Sequence, residues 1–545
     1  MPESLVVRRV LGDRPFAEIG EPGVAAVDER LGCLVVGGDM GWIAWPNPGR
    51  APIDRWPRYR IGVYDADDLR CRHVYDCQWP VMSVAFHPLL PLAAVGVGRY
   101  DGSWDFEGQL LLMDLESGRV RPLLDDGRQV TFVRWLDARR LRLVVSPEDK
   151  DSAHAFSHGF EAVLERHDWR AVPPRSVGRR EVTGPRVRYE GPPDRDRARD
   201  LLTERSRRIP GTVWAPRRQV RAVEVLGDGR VLATVEGARL ECWLPSGDLQ
   251  WSVPDLDGAR QIHVGADEAS AWVNVQHTVR PAGSGWQGHG TLVERLSLAD
   301  GRSLEAFDPG HAVTFAASRD GRLVIRAGSP DQRGGETRLL APDGTELTRF
   351  TLTASDFRLR RGADPLFVQD LHTRPGSRAW IGALTIGEPG AEPGLRRLFA
   401  LDWESGRGSH LFPGPAVQLG DAALVHAAVV RDHEEVHARN AFVVRRRLPD
   451  GAPRWVFAAD EPVTALDADE DTVYAAHRSG EVVGLDPRTG SPRLRHRLRV
   501  GGQVVVPLSL AAAGAGRLLV GTVDGRILDC APASPAGPAV TSAGE

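Results

Sequence analysis

The sequence predicts an all-β protein, a β-propeller of about ten four-stranded blades, on three observations. The chain has 545 residues, beyond the size at which one hydrophobic core keeps growing, so it must divide into domains or repeats. Residues 461–498 read as four short strands, VTALDA, TVYAAH, EVVGLD and PRLRHRL, parted by turn residues at DED, RSG and PRTG. Their apolar residues follow the alternation or short runs of sheet, not the spacing of helix. One such sheet cannot bury both faces, whereas radial stacking with neighbours does.

The same frame recurs, with repeats beginning near residues 24, 79, 130, 219, 260, 312, 366, 416, 461 and 504. The third strands end in turns such as DLESG, LPSG, SLADG, LAPDG, ALDWESG and RRLPDG, where Gly supplies the backbone reversal. The last repeat offers three strands before a Pro/Ala/Gly/Ser tail at 533–545, which is expected to be disordered. Residues 4–11, SLVVRRVL, form a strand with no blade of their own and are expected to complete that last sheet and protect its edge. Two layouts follow: one large ring closed by residues 4–11, or a seven-bladed ring at 219–532 beside a smaller irregular unit built from the earlier repeats. The expected divisions are 1–172 (blades with the closing strand), 173–218 (an insertion), 219–532 (the remaining blades) and the tail.

VYAAHRSGEVVGLDPRTG, SGDLQWSV and DGAPRWVF resemble quinoprotein-like (PQQ-like) repeats, whose blades tend to end in an Asp-x-x-Thr-Gly turn followed by a tryptophan. SVAFHP at 83–88 resembles the first strand of a WD40 blade, and the resemblance spans 20–172 and 219–532. It implies the propeller architecture. No blade ends in Trp-Asp or carries the full quinoprotein signature, so no cofactor is expected.

Residues 173–218 hold 13 arginines and 6 acidic residues in a chain of net charge −4. Within this stretch the sequence predicts a helix over 194–209, opened by Pro193 and Asp194, stopped by Pro210-Gly211, with Leu201 and Leu202 as its apolar face. The stretch reads as a surface linker with one docked helix, with two rival readings: a contact for an acidic partner surface, or a protease-sensitive loop cut near Arg179, Arg180, Arg207 or Arg208.

Connections between second and third strands are expanded in the repeats near 24, 79, 130, 260, 312, 366 and 416, and tight in those near 219, 461 and 504. In a propeller these connections share one face, so the expansions are the expected binding surface. Three of them are aromatic: Trp42, Trp45, Trp56 and Tyr59 in one; Tyr100, Trp104 and Phe106 in the second; Trp286 and His289 in the third. Aromatic rings beside charges are the composition of interface hot spots, although such rings also pack loops onto blade tops.

Catalytic patterns are weak. His433-Glu434-Glu435-Val436-His437 fits H-E-x-x-H, but it lies between two strand patterns where zinc chemistry needs a helix, and reads as a polar loop. Cys71, His73 and Cys77 fall on one face of a strand, yet a zinc site needs a further ligand, and no metal is expected. Lys150 is the only lysine, preceded by SPED, which excludes a P-loop and argues against kinase or Schiff-base chemistry. Its rarity beside abundant Arg, Ala and Gly points to a GC-rich bacterial genome.

The five cysteines read as reduced core residues, and there is neither a signal-like N-terminus nor a long apolar run, so a cytoplasmic protein is expected. The resulting expectation is a non-catalytic scaffold that binds one or more proteins on its loop-rich face and needs no membrane or nucleic acid. A sharper form has it sequester a signalling or transcription partner until the Arg-rich insertion is cleaved, in a bacterial stress or antiviral defence setting. The alternative is an enzyme or small-ligand binder with its site in the central channel.

Overall fold

The structure is a computed structural model that describes residues 5–41, 59–102, 105–148, 150–152, 154–191, 193–212, 214–279, 288–327, 336–351, 355–356, 359–370, 378–385, 394–404, 409–432 and 441–533. Its described strands form nine four-stranded antiparallel sheets, one three-stranded sheet and a two-stranded ribbon. The three-stranded sheet is a four-stranded one whose second and third strands run on without a break. Its middle strand, Val231–Trp243, carries Gly237 at φ +113° near its centre, and Arg230 Nη1 lies 4.0 Å from Cys242 Sγ. Residues twelve apart would stand about 40 Å apart if extended, so this strand doubles back at Glu236-Gly237. Ten sheets thus answer to the ten repeats.

Described residues 13–41 and 59–218 form the smaller of two compact units. Its first sheet joins Glu21–Asp28, Cys33–Asp39, Tyr59–Asp65 and Cys71–Cys77. The second joins Val81–Phe86, Leu92–Tyr100, Phe106–Asp114 and Val120–Pro122. The third joins Val130–Trp135, Arg140–Val145, His158–Glu165 and Arg186–Arg188. Val35, Ile61 and Val63 pack on Val95, Val97 and Leu111, and Leu110 and Leu112 on Leu141, Leu143 and Trp169, so successive sheets share cores.

The stretch 173–218 is largely folded into this unit. Arg186–Arg188 is the outer strand of the third sheet. The helix Arg195–Arg207 lies along Glu21–Asp28, with Leu202 buried among Ile19, Leu34 and Tyr64. Asp194 caps it, accepting the Arg197 N–H at 3.0 Å, and Arg205 and Arg199 pair with Glu29 and Glu21.

Described residues 5–12 and 219–533 form the larger unit, with seven sheets. Leu240 and Leu296 join the first sheet's core to the second's, Val293 and Phe315 the second's to the third's, Val324 and Val368 the third's to the fourth's. Phe367 and Leu424 link fourth and fifth, Val443 and Leu466 fifth and sixth, Val482 and Val520 sixth and seventh. Leu519 and Ile527 of the seventh then pack with Val223 and Ala233 of the first, and Ser509 donates to the Val220 carbonyl at 2.8 Å. Among the described residues of this unit, the shared cores thus run from the first sheet to the seventh and back to the first. Leu5–Leu11 pairs antiparallel with Ile527–Pro532, completing the seventh sheet with the strand its repeat lacked.

The repeat frame is corrected in the fourth sheet, which joins Ser355–Asp356, Leu366–Asp370, Arg378–Thr385 and Gly394–Glu404. Gly394–Glu404 was expected as a third strand and is the fourth, while Ser409–Leu419 opens the fifth sheet. The expanded connection 386–393 therefore joins third to fourth strands rather than second to third. The displaced start is a two-residue strand too short to carry an alternating pattern.

A device links neighbouring sheets in both units. The turn that ends a third strand places a glycine flat against a ring of the preceding sheet. A Cβ at Gly490 (φ +72°) would sit 2.6 Å from the Trp455 ring, and one at Gly301 would sit 2.8 Å from Trp251. Gly451 stands likewise over Phe399, and Gly118 over His73. Trp455 also donates its indole N–H to the Pro487 carbonyl at 3.0 Å, while Asp486 accepts the N–H groups of Arg488 and Thr489 and shapes the turn.

Candidate partner-binding site

The connections between second and third strands in the second and third sheets of the smaller unit bring three rings together. Tyr100 ends one strand, Phe106 begins the next, and Phe156 lies in the neighbouring connection just before His158–Glu165. The ring centroids are 5.3 Å apart for Tyr100–Phe106, 5.1 Å for Tyr100–Phe156 and 5.3 Å for Phe106–Phe156, the last two pairs edge to face. Phe106 is buried beneath the group, whereas Phe156 is 63% exposed. Backbone bonds fix the base: Asp101 N–H to Asp105 C=O at 3.0 Å, and Gln129 N–H to Phe106 C=O at 3.1 Å. The group thus presents one open ring, Phe156, on two that are anchored in the connections.

Charged residues share these connections with the rings. The two connections and their strand ends carry Asp101, Asp105, Glu107, Glu148, Asp149 and Asp151 against Arg99 and Lys150. Glu107 accepts from the Trp79 indole at 3.3 Å and stands 3.9 Å from Arg99, and Glu148 pairs with Arg179 at 2.7 Å. Asp105 is exposed to solvent.

Of the residues expected to contact a partner, the structure brings Tyr100 and Phe106 together. Tyr59 faces the core with Ile61 and Cys77, so it serves packing. Trp42, Trp45, Trp56, Trp104 and Trp286 lie outside the described residues; His289 is a strand position opposite Thr278 whose side chain is not described. Phe156 was missed, an isolated aromatic in a polar connection whose partners are distant in sequence. Arg179 and Arg180 start a short 3-10 turn, Arg179–Val182, and Arg207 and Arg208 end the helix, Arg208 paired with Glu204 at 2.5 Å.

The cysteine reading is corrected in one respect. A bulge pairs Tyr64 with Cys71 but Val63 with His73, which turns Cys71 towards the helix-side core while Cys77 enters the core shared with the second sheet. His73 Nε2 meets the Glu116 carbonyl at 3.0 Å, and burial pushes the Cys77 thiol up to about 11, disfavouring the thiolate that a metal needs. Residues 433–437, with His433, Glu434 and His437, lie outside the described residues.

In the larger unit, Arg360 and Arg361 reach first strands that belong to distant sheets. Arg360 donates to the Leu510 carbonyl at 2.6 Å, to the Val223 carbonyl and to Glu224, and its own N–H bonds Ala416 C=O at 2.9 Å. Arg361 forks onto Asp467 at 2.7 and 2.9 Å and onto the Ala512 carbonyl at 2.7 Å. Residues 359–363 thus touch first strands of the first, fifth, sixth and seventh sheets, and Ala363 bonds Ala317 of the third at 3.0 Å. Only a segment on the axis of the cycle can do this. Burial opposes charge on Arg360, yet Glu224 and Asp467 outweigh it and raise its pKa above the ordinary value.

The class of protein these sheets define is a β-propeller, stacked four-stranded antiparallel sheets joined through shared cores. No family model matches the chain, and no curated protein does. Among solved structures it is similar to the crystal structure of the WD40 beta propeller domain of Doa1, with a TM-score of 0.38 and 11% identity, over 58% of this chain and 93% of that one. Among the described residues no helix is long and apolar enough to cross a membrane.

Proposed function

We propose that the protein is a binding platform that holds a protein partner through the connections between its second and third strands. The observation that carries this reading is the ring group Tyr100, Phe106 and Phe156, two rings anchored and one presented. A stiff stack of sheets holds such a group in place before the partner arrives, which lowers the ordering cost of association. The rival reading, a small ligand in a central channel, is disfavoured by Arg360 and Arg361, whose side chains and hydrogen bonds occupy the axis of the larger unit. Cleavage in the Arg-rich stretch would require its sheet strand and docked helix to open first, because a protease needs an extended chain.

The test compares full-length tagged protein with Phe156→Ala in capture from extract of the native cells, with quantitative mass spectrometry. The same thermal unfolding and the loss of a partner that the unaltered chain retains are expected. Identical capture by both proteins would overturn the assignment of the site.

A further inference from the structure

We propose that the ring group takes an arginine side chain from a cationic segment of the partner, a refinement that rests on the platform reading above. Three features converge. Phe156 offers an exposed ring, held edge to face against Tyr100 and Phe106, and the negative face of such a ring attracts a cation. Among the described residues, Asp101, Asp105, Glu107, Glu148 and Asp151 belong to the same two connections and strand ends against Arg99 and Lys150, so an arriving cation is drawn in and an anion repelled. Arg99 and Arg179 already neutralise part of Glu107 and Glu148, while Asp105 faces solvent beside the rings.

The geometry favours arginine over lysine. A planar guanidinium can lie flat on the Phe156 ring and still present an N–H fork to a carboxylate at its edge, whereas an ammonium is a compact, strongly hydrated charge that does one or the other. The ring centroids lie 5.1 to 5.3 Å apart, which leaves no slot between them, so the cation stacks on the outer face of Phe156. The chain's single lysine serves as a built-in reporter: Lys150 lies in the connection that carries Phe156, and apart from the chain's N-terminus it is the one amine that can be acylated.

The probes are three dye-labelled peptides of alternating glycine with arginine, lysine or glutamate, titrated into the full chain and followed by fluorescence anisotropy. Saturable binding of the arginine peptide is expected, weakened about fivefold by Phe156→Ala and by a similar factor in Asp101→Asn/Asp105→Asn. The lysine peptide should bind more weakly, the glutamate peptide not at all, and the arginine peptide should slow acetylation of Lys150. Binding that ignores Phe156→Ala, equal affinity for the lysine peptide, or no saturable binding would each overturn the proposal. Phe156→Tyr, which keeps the ring, should retain the affinity and separates loss of the ring from loss of the fold. If Phe156→Ala abolishes capture of a cellular partner while no arginine peptide binds or competes, the platform stands and the cationic partner fails.

Discussion

Asp467 is the residue on which the axis of the larger unit turns. It is fully buried, and its carboxylate accepts both nitrogens of the Arg361 fork, the Ala468 N–H at 2.9 Å and the Ala512 N–H at 2.8 Å, with Arg360 Nε 4.0 Å away. Removing one partner of such a buried pair leaves the other's charge uncompensated, which costs more than the pair itself contributes. Asp467→Ala should therefore lower stability by about 3–5 kcal/mol, read as a shift in the urea midpoint. Arg361→Met, whose parent side chain is half exposed, should cost clearly less, because its guanidinium can be replaced by water where the carboxylate cannot. Equal costs would mean that Asp467 acts only through Arg361 and not through the two backbone N–H groups. Neither residue stood out in the sequence: Asp467 looks like any strand-end Asp, and Arg360-Arg361 lie in FRLRRGADP, a gap between repeats with no pattern of its own.

At the scale of the element, the glycine-ended turn against the preceding sheet's ring is what the repeats encode. Gly490 and Gly514 both have positive φ, +72° and +77°, so alanine is strained at either. A Cβ at Gly490 collides with the Trp455 ring at 2.6 Å, whereas one at Gly514 meets nothing within 4 Å. Gly514→Ala should cost about 1 kcal/mol, and Gly490→Ala some 1–3 kcal/mol beyond that, measured by denaturant unfolding with the second value exposing the packing term alone. Equal costs would mean that the turn does not bear on the neighbouring sheet. These turns explain how much of the fold was legible. Glycine-ended turns after third strands, as at Gly118, Gly247, Gly301, Gly344, Gly451 and Gly490, carried most of the repeat frame, while strand 4–11 followed from counting strands in the last repeat. The fourth sheet escaped because Ser355–Asp356 is too short for alternation, and the face of Cys71 escaped because a bulge reverses pleat parity without a sequence mark. At the site, Tyr100 and Phe106 were legible from one aromatic loop, whereas Phe156 joins them only through pairing of separate sheets.

At the scale of the whole molecule, burial lowers the pKa of more of the described imidazoles in the larger unit than in the smaller. Burial lowers the pKa of His263, His426, His477 and His496 in the larger unit, with His426, facing Arg446, held to about 3; in the smaller unit burial lowers that of His87. A histidine whose pKa is depressed on folding takes up its proton only when the chain unfolds. Its contribution is complete above the ordinary value of 6.5 and is lost as pH falls towards the folded value. Each such residue steepens the loss by up to about 1.4 kcal/mol per pH unit, in a window above that in which carboxylates such as Asp529 and Asp114, whose pKa values are lowered, begin to matter. With four such residues against one, the larger unit should lose stability faster than the smaller between about pH 6.5 and 4.5, so the order in which the units unfold depends on pH. Hydrogen exchange read by mass spectrometry in denaturant at both ends of that range assigns each transition to its unit. His426→Gln should remove about one proton from the uptake that accompanies unfolding of residues 219–533 and leave the smaller unit's transition where it was. Parallel loss in both units would mean that buried imidazoles do not govern the acid response.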